Sequence, residues 1–121
     1  MNRPTVFIVE DDADTREMLS KFLELEGYNV EAASNGRQAL DLLGSGIDAN
    51  VIVLDLMMPV MDGWEFRRRQ VEDARLRAIP TIVVSAAGRD RMAQVSADAY
   101  LSKPVDMDEL LLRVNQFCEL A

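Results

Sequence analysis

The chain has 121 residues, about the length of one domain, and we expect residues 1–121 to form a single unit. Its 21 acidic and 13 basic side chains give a net charge of −8, which disfavours a direct nucleic-acid ligand because phosphate contacts need clustered lysine and arginine. One cysteine and no histidine exclude an internal disulfide, a histidine general base and a histidine metal ligand, and no apolar run approaches the roughly 20 residues of a membrane span.

Apolar, β-branched runs alternate with helical periodicity along the whole chain. In chain order, the pattern predicts strands at 5–9, 29–33, 51–54, 81–84 and 100–101. Helices are predicted at 13–26 and 37–43, after Asp62-Gly63, in the segment 88–96 and at 106–120. Continuous apolar strands that alternate with helices indicate a parallel sheet covered on both faces. The predicted fold is therefore α/β, a flavodoxin-like, doubly wound sheet of five parallel strands in the order 2-1-3-4-5, with five helices.

Polar side chains follow four of the predicted strands. They are Glu10, Asp11 and Asp12 after the first strand, Asp55 after the third, Ser85 after the fourth and Lys103 after the fifth. Taken singly, each is most often a helix cap, a turn residue or a solvated charge. In a doubly wound sheet, however, the carboxyl ends of the strands form the ligand crevice, so these side chains are expected to converge.

The convergence of Glu10, Asp11 and Asp55 requires a compensating cation or proton. Two carboxylates ~4 Å apart repel by about 4 kcal/mol at an effective dielectric of 20. Without histidine, and with one remote cysteine, the available ligands are oxygen atoms, a set that suits Mg²⁺. Lys103 adds a positive charge, and Ser85 a hydroxyl, for an oxyanion beside the metal. These groups predict phosphoryl transfer onto Asp55 as a carboxylate nucleophile.

Four motifs in this order and at this spacing resemble the receiver domains of two-component response regulators over essentially the whole chain. The motifs are Ile8-Val-Glu-Asp-Asp12, Val53-Leu-Asp-Leu-Met-Met-Pro-Val-Met-Asp-Gly63, Val83-Val-Ser-Ala86 and Tyr100-Leu-Ser-Lys-Pro104. The resemblance implies that Asp55 is the phosphoacceptor and belongs to the metal set. It implies that Asp11 binds Mg²⁺ directly, that Glu10 binds it through water, and that the Met57 carbonyl completes the protein ligands.

The same resemblance assigns further roles around the site. Ser85 and Lys103 take the catalytic hydroxyl and lysine positions, and Ser85 with Tyr100 forms the switch. The Lys103-Pro104 bond is expected to be cis. Asp12 falls outside the metal set and is expected to cap the first helix.

The partners implied by the resemblance are proteins. A histidine kinase or a histidine phosphotransfer protein is expected to donate the phosphoryl group, because this chain has no histidine of its own. A small phosphodonor can replace that protein. The output is expected to be a downstream protein target or a phosphorylation-dependent dimer, with no direct contact to nucleic acid or membrane. The single cysteine fits a reducing compartment, so we expect a cytoplasmic location.

Two departures from the family pattern stand out. Ser85 and Lys103 are 18 positions apart, about four fewer than the family leads us to expect, so the fourth helix region should lack about one turn. In the third helix, Arg67 and Gln70 stand where leucines are usual, which leaves Phe66 as the main anchor. We expect the polar ends of Arg67 and Gln70 to reach water.

Three other functions are alternatives to that of a receiver domain. An Mg²⁺-dependent aspartyl phosphatase of external substrates needs a second aspartate two residues after the nucleophile, where this chain has Met57. A pseudo-receiver, which binds partners without being phosphorylated, usually lacks an acid or the lysine. All of these are present here, but the shortened segment keeps that interpretation open. A flavodoxin-like cofactor site needs a Ser/Thr/Gly-rich phosphate loop after the first strand, where this chain has three acids.

Overall fold

One parallel sheet organises the molecule. The computed structural model describes residues 3–118, and within them five strands lie in the order β2-β1-β3-β4-β5. The strands are β1 (Thr5–Val9), β2 (Asn29–Ala33), β3 (Val51–Leu54), β4 (Thr81–Ser85) and β5 (Ala99–Ser102). The helices are α1 (Ala13–Leu25), α2 (Gly36–Gly44), α3 (Gly63–Glu72), α4 (Arg89–Met92) and α5 (Met107–Phe117), with a 3₁₀ turn at Leu76–Ala78. The predicted α/β fold and strand order are confirmed.

The sheet separates two apolar layers because successive side chains of a strand point to opposite faces. On β1, Phe7 and Val9 pack with α2, α3 and α4, whereas Val6 and Ile8 pack with α1 and α5. Phe66 is a large, fully buried apolar side chain of α3 in the first layer. None of the helices within residues 3–118 is long and apolar enough to cross a membrane.

The predicted bounds differ from the observed ones mainly at helix ends and in the last strand. The last helix begins at Met107 and ends at Phe117, and the predicted continuation over 119–120 lies outside the described residues. The predicted shortening of the fourth helix region is confirmed, since α4 has only four residues. The segment 93–98, which we call the α4–β5 loop, follows it directly.

The expectation that the polar end of Gln70 reaches water is wrong. Gln70 is fully buried, and its side-chain Nε2 donates to the carbonyls of Leu76 and Ile79 and to Thr81 Oγ1, at 3.0, 3.2 and 3.1 Å. Arg67 is partly buried and also donates to Thr81 Oγ1, at 3.1 Å. A buried amide needs such partners, because an unpaired one costs free energy. Polar contacts therefore anchor α3 where leucines were expected.

Candidate functional site

Glu10, Asp11 and Asp55 lie together at the carboxyl edge of the sheet. Each offers one carboxylate oxygen, and these oxygens all lie within 4.8 Å of one another. The neighbouring strands β1 and β3 end in register, with Val9 opposite Leu54, so the residues after them share one edge. Glu10 is 2% exposed and Asp55 is 5% exposed, whereas Asp11 is open to solvent. The predicted convergence of the three acids is observed.

Lys103 adds a positive charge to the cluster. Its Nζ lies 2.7 Å from Oε1 of Glu10 and 3.5 Å from Oδ2 of Asp55. The backbone N–H of Lys103 donates to the Ser85 carbonyl at 3.0 Å, which fixes the base of the lysine against the end of β4. The Lys103-Pro104 bond is cis, as predicted.

The electrostatics of the cluster are unbalanced. Burial, followed by the negative charge of Glu10, raises the pKa of Asp55 to about 6, against the opposing effects of Lys103 and the Met57 N–H. Burial opposes the charge on Lys103, but its hydrogen bond to Glu10 and the charge of Asp55 outweigh that effect and raise the pKa of the lysine. One ammonium thus faces three carboxylates, so an added cation is favoured there.

The donor chemistry fits a hard divalent cation. The three side chains supply oxygen atoms alone, and an exposed Asp11 beside buried partners leaves room for water. These features suit Mg²⁺, which binds through one or two carboxylates and keeps several waters. Met57 is half exposed, and its N–H lies 3.4 Å from Oδ1 of Asp55, so its carbonyl belongs to the loop that borders the cluster.

The loop between Asp55 and α3 is held by a close backbone approach that sequence reasoning missed. The N–H of Gly63 donates to the Leu56 carbonyl at 2.8 Å. A Cβ at Gly63 would lie 2.4 Å from the Asp55 carbonyl oxygen and 2.6 Å from the Leu56 Cα. Only glycine fits this position. The Asp62-Gly63 pair is the sequence feature that could have indicated this tight approach, because it marks the start of a helix. Asp62 caps α3 by accepting from the Glu65 N–H at 2.9 Å.

The hydroxyls of Ser85 and Tyr100 bind backbone groups of the segment between β4 and β5. Ser85 is fully buried at the end of β4, and its Oγ accepts from the Ala87 N–H at 3.1 Å. Tyr100 is 42% exposed. Its hydroxyl accepts from the Ala97 N–H and donates to the Val95 carbonyl. The tyrosine ring is therefore held at the surface, against the α4–β5 loop.

The side chains of Asp12 and Cys118 have structural roles. Asp12 caps α1, with its Oδ2 accepting from the N–H and the hydroxyl of Thr15 at 2.8 and 2.6 Å, as predicted. Cys118 is buried in the layer beside α1 and α5, and burial raises the pKa of its thiol to about 11. A thiol with so high a pKa is a packing group rather than a nucleophile.

The doubly wound sheet, with a crevice of carboxylates and a lysine at its carboxyl edge, places the domain among the flavodoxin-like folds. Residues 6–115 match the family model of the response regulator receiver domain, and the chain belongs to this family. It is a signalling module of two-component systems.

The chain is similar to several known proteins. It is 38% identical over 111 residues to response regulator Rre1 of Synechocystis sp., which covers 88% of this chain and 48% of Rre1. It is 39% identical over 117 residues to an uncharacterized 14.6 kDa protein from the sodA1 3′ region of Leptolyngbya boryana, covering 93% and 88%. The structure of TrrA from Thermotoga maritima in complex with Mg(2+)-BeF matches with a TM-score of 0.83 and 28% identity, covering 94% of this chain and 98% of that one. The chain spans about half the length of Rre1 and of several other curated relatives.

Proposed function

We propose that this domain accepts a phosphoryl group on Asp55 and thereby switches its contacts with other proteins. The donor is the phosphohistidine of a histidine kinase or of a histidine phosphotransfer protein. The carrying observation is the position of the Asp55 carboxylate, which is buried close to the carboxylates of Glu10 and Asp11 and 3.5 Å from the Lys103 ammonium. We place this exchange in the cytoplasm, where the unpaired Cys118 stays reduced.

The acidic cluster is the metal site of the proposal. Asp11 and Asp55 would hold Mg²⁺ directly, Glu10 through water, and Met57 through its carbonyl. The similar TrrA domain, whose structure is a complex with Mg(2+)-BeF, supports this assignment by similarity of fold. When bound, Mg²⁺ supplies the positive charge that offsets the cluster and the phosphoryl oxygens.

The chemical step is a displacement at phosphorus. An oxygen of Asp55 forms a P–O bond as the P–N bond to the donor imidazole breaks, and the ring, already protonated at its other nitrogen, leaves as neutral imidazole. Lys103 stabilises the charge on the transferred group, and Ser85 offers its hydroxyl once it turns from Ala87. Hydrolysis of the acyl phosphate returns inorganic phosphate and free Asp55. Because the reaction acts on its own side chain, the domain is a signalling switch rather than an enzyme.

The output is a change in protein contacts. A phosphoryl group on Asp55 adds roughly two negative charges beside β4, and the Ser85 hydroxyl can rotate to donate to it. Tyr100 is the side chain that responds. The responding surface then serves a downstream protein target or a second, phosphorylated copy of the domain. The acidic net charge of −8 supports a protein partner over nucleic acid.

The proposal is tested by phosphorylation from a small donor. Incubation with acetyl phosphate and Mg²⁺ should add one phosphoryl group by intact mass, and omission of Mg²⁺ should prevent it. Asp55→Asn should gain none, whereas the matched control Asp48→Asn, an exposed acid remote from the cluster, should behave as the wild type. No gain in the wild type would favour a pseudo-receiver, and repeated turnover of a phosphate ester would favour a phosphatase.

A further inference from the structure

Side chains from two other elements hold the α4–β5 loop. The Nε of Arg67, on α3, donates to the Ser96 carbonyl at 2.7 Å. The hydroxyl of Tyr100, on β5, accepts from the Ala97 N–H at 2.9 Å and donates to the Val95 carbonyl. Of three consecutive residues, 95–97, the arginine thus binds the middle one and the tyrosine binds the two on either side.

The arginine is itself fixed at its other end. Its Nη1 donates to Thr81 Oγ1 at 3.1 Å, and the buried Gln70 donates to the same oxygen at 3.1 Å. The N–H of Thr81 in turn donates to Oδ2 of Asp98 at 2.8 Å, at the far end of the same loop. Arg67 therefore connects the loop to the first residue of β4 through a partly buried network.

This support compensates for the short fourth helix. An α-helix of four residues has little stability of its own, because nucleation is costly and few hydrogen bonds repay it. Trp64 on α3 adds a further contact, donating from Nε1 to the Arg91 carbonyl at 3.0 Å, while the Arg91 guanidinium lies 4.5 Å from the centre of its ring. The segment that follows Ser85 is thus positioned from α3 rather than by its own helix.

We propose that Arg67 is a positioning residue of the switch, which holds Ser96 so that the flanking Val95 carbonyl and Ala97 N–H face the Tyr100 hydroxyl. The hydroxyl can reach both partners only while the ring lies at the surface. Turning the ring inward breaks both contacts. The hydrogen bond from Arg67 to the Ser96 carbonyl, which we call the clamp, therefore favours the outward ring in the unphosphorylated domain. This inference rests on the proposed function, because Arg67 would set how readily phosphorylation of Asp55 turns the Tyr100 ring inward.

The test is the affinity of the domain for beryllofluoride with Mg²⁺, a non-covalent phosphoryl mimic. If only part of the population is competent to bind, the apparent affinity falls by that fraction. Arg67→Met keeps the aliphatic stem and removes the clamp, so it should bind beryllofluoride roughly three- to tenfold more tightly. Tyr100→Phe should shift the affinity in the same direction. The matched control Arg68→Met loses the same charge one position along α3, where the arginine is exposed and pairs with Glu65 of the same helix, and should match the wild type.

Two further readouts separate positioning from a general loss of stability. Amide exchange of Ala97 should accelerate in Arg67→Met and in Tyr100→Phe but not in Arg68→Met. Because both side chains hold the same loop, their effects on affinity should not be independent. The double variant Arg67→Met with Tyr100→Phe should gain less affinity for beryllofluoride than the product of the two single gains. Faster exchange with unchanged beryllofluoride affinity would show that Arg67 is merely structural and would overturn the proposal.

The failure of the underlying function has a different signature. A wild type that does not bind beryllofluoride overturns the phosphoacceptor assignment, and the switch role of Arg67 falls with it. A wild type that binds, alongside an Arg67→Met variant of equal or weaker affinity, overturns the positioning role alone.

Discussion

The Lys103 ammonium lies 2.7 Å from Oε1 of Glu10, closer than its 3.5 Å distance from Oδ2 of Asp55. The lysine therefore lies closest to Glu10, which is expected to bind metal through water, and contacts Asp55 only weakly. Asp55 is therefore buried beside the negative charge of Glu10, and Lys103 offsets that charge only in part. The raised pKa of Asp55, about 6, is the consequence.

The free energy of unfolding should depend on pH because the pKa of Asp55 is raised in the folded state. The folded pKa of Asp55 lies above the ordinary value of 3.8, so the folded state binds the proton more tightly than the unfolded chain. The Asp55 contribution to the unfolding free energy should therefore fall as pH rises from about 4 to about 7, by about 2 to 3 kcal/mol. Urea unfolding of the metal-free domain at several pH values measures it.

The comparison that isolates Asp55 is with Asp55→Asn. That variant should be more stable than the wild type at pH 7 and similar to it near pH 4. Asp48→Asn, whose side chain is 97% exposed, serves as the control and should leave the wild-type profile unchanged. Parallel profiles for Asp55→Asn and the wild type would contradict the electrostatic account.

Removing an exposed member of the cluster should abolish Mg²⁺ binding. Asp11→Ala deletes a direct ligand and one negative charge, so calorimetry should detect no measurable binding. The metal-free variant should also be more stable than the wild type, because carboxylate repulsion is relieved. The adjacent Asp12→Ala is the control. It removes the cap of α1 and should lower stability, yet Mg²⁺ affinity should persist. Equal affinity in Asp11→Ala and wild type would remove Asp11 from the metal set.

The buried amide of Gln70 should contribute measurably to stability. Gln70→Leu introduces the expected apolar residue but leaves the Ile79 carbonyl and Thr81 hydroxyl with fewer partners, so we expect a loss of about 2 kcal/mol. The exposed Gln94→Leu should change stability by less than about 0.5 kcal/mol. Urea denaturation midpoints compare the two. A Gln70→Leu variant as stable as the wild type would show that the amide contacts are dispensable.

The close approach at Gly63 should tolerate no side chain. Gly63→Ala places a Cβ against backbone atoms of Asp55 and Leu56, which cannot move aside, so a loss of about 3 kcal/mol is expected. Gly44→Ala is the matched control. A Cβ there meets nothing within 4 Å, and stability should change by less than about 1 kcal/mol. Thermal unfolding of both variants decides the point, and equal midpoints would contradict the packing account.

The sheet and the acidic cluster could be predicted because both follow from short-range patterns. Runs such as Val51–Leu54 are apolar throughout, which marks a buried parallel strand, and Asp55 comes directly after that run. Once the strands are parallel, their ends share an edge, so Glu10 and Asp55 meet although 45 positions separate them.

The polar anchoring of α3 could not be predicted in the same way. A glutamine or arginine on a helix reads as solvent-facing unless its hydrogen-bond partners are known, and the partners of Gln70 and Arg67 lie up to 29 positions away. The direction of the Tyr100 ring was equally hidden, because it depends on the carbonyl of Val95 and the N–H of Ala97 in a loop without periodicity.

Chemical trapping of the phosphorylated residue tests the central claim most directly. After treatment with acetyl phosphate and Mg²⁺, borohydride reduces an aspartyl phosphate to homoserine, and peptide mass mapping locates the product. We expect a single homoserine at position 55 and none in a sample prepared without phosphodonor. Homoserine at another aspartate, or a phosphoryl group that borohydride leaves intact, would contradict the assignment of Asp55 as the phosphoacceptor.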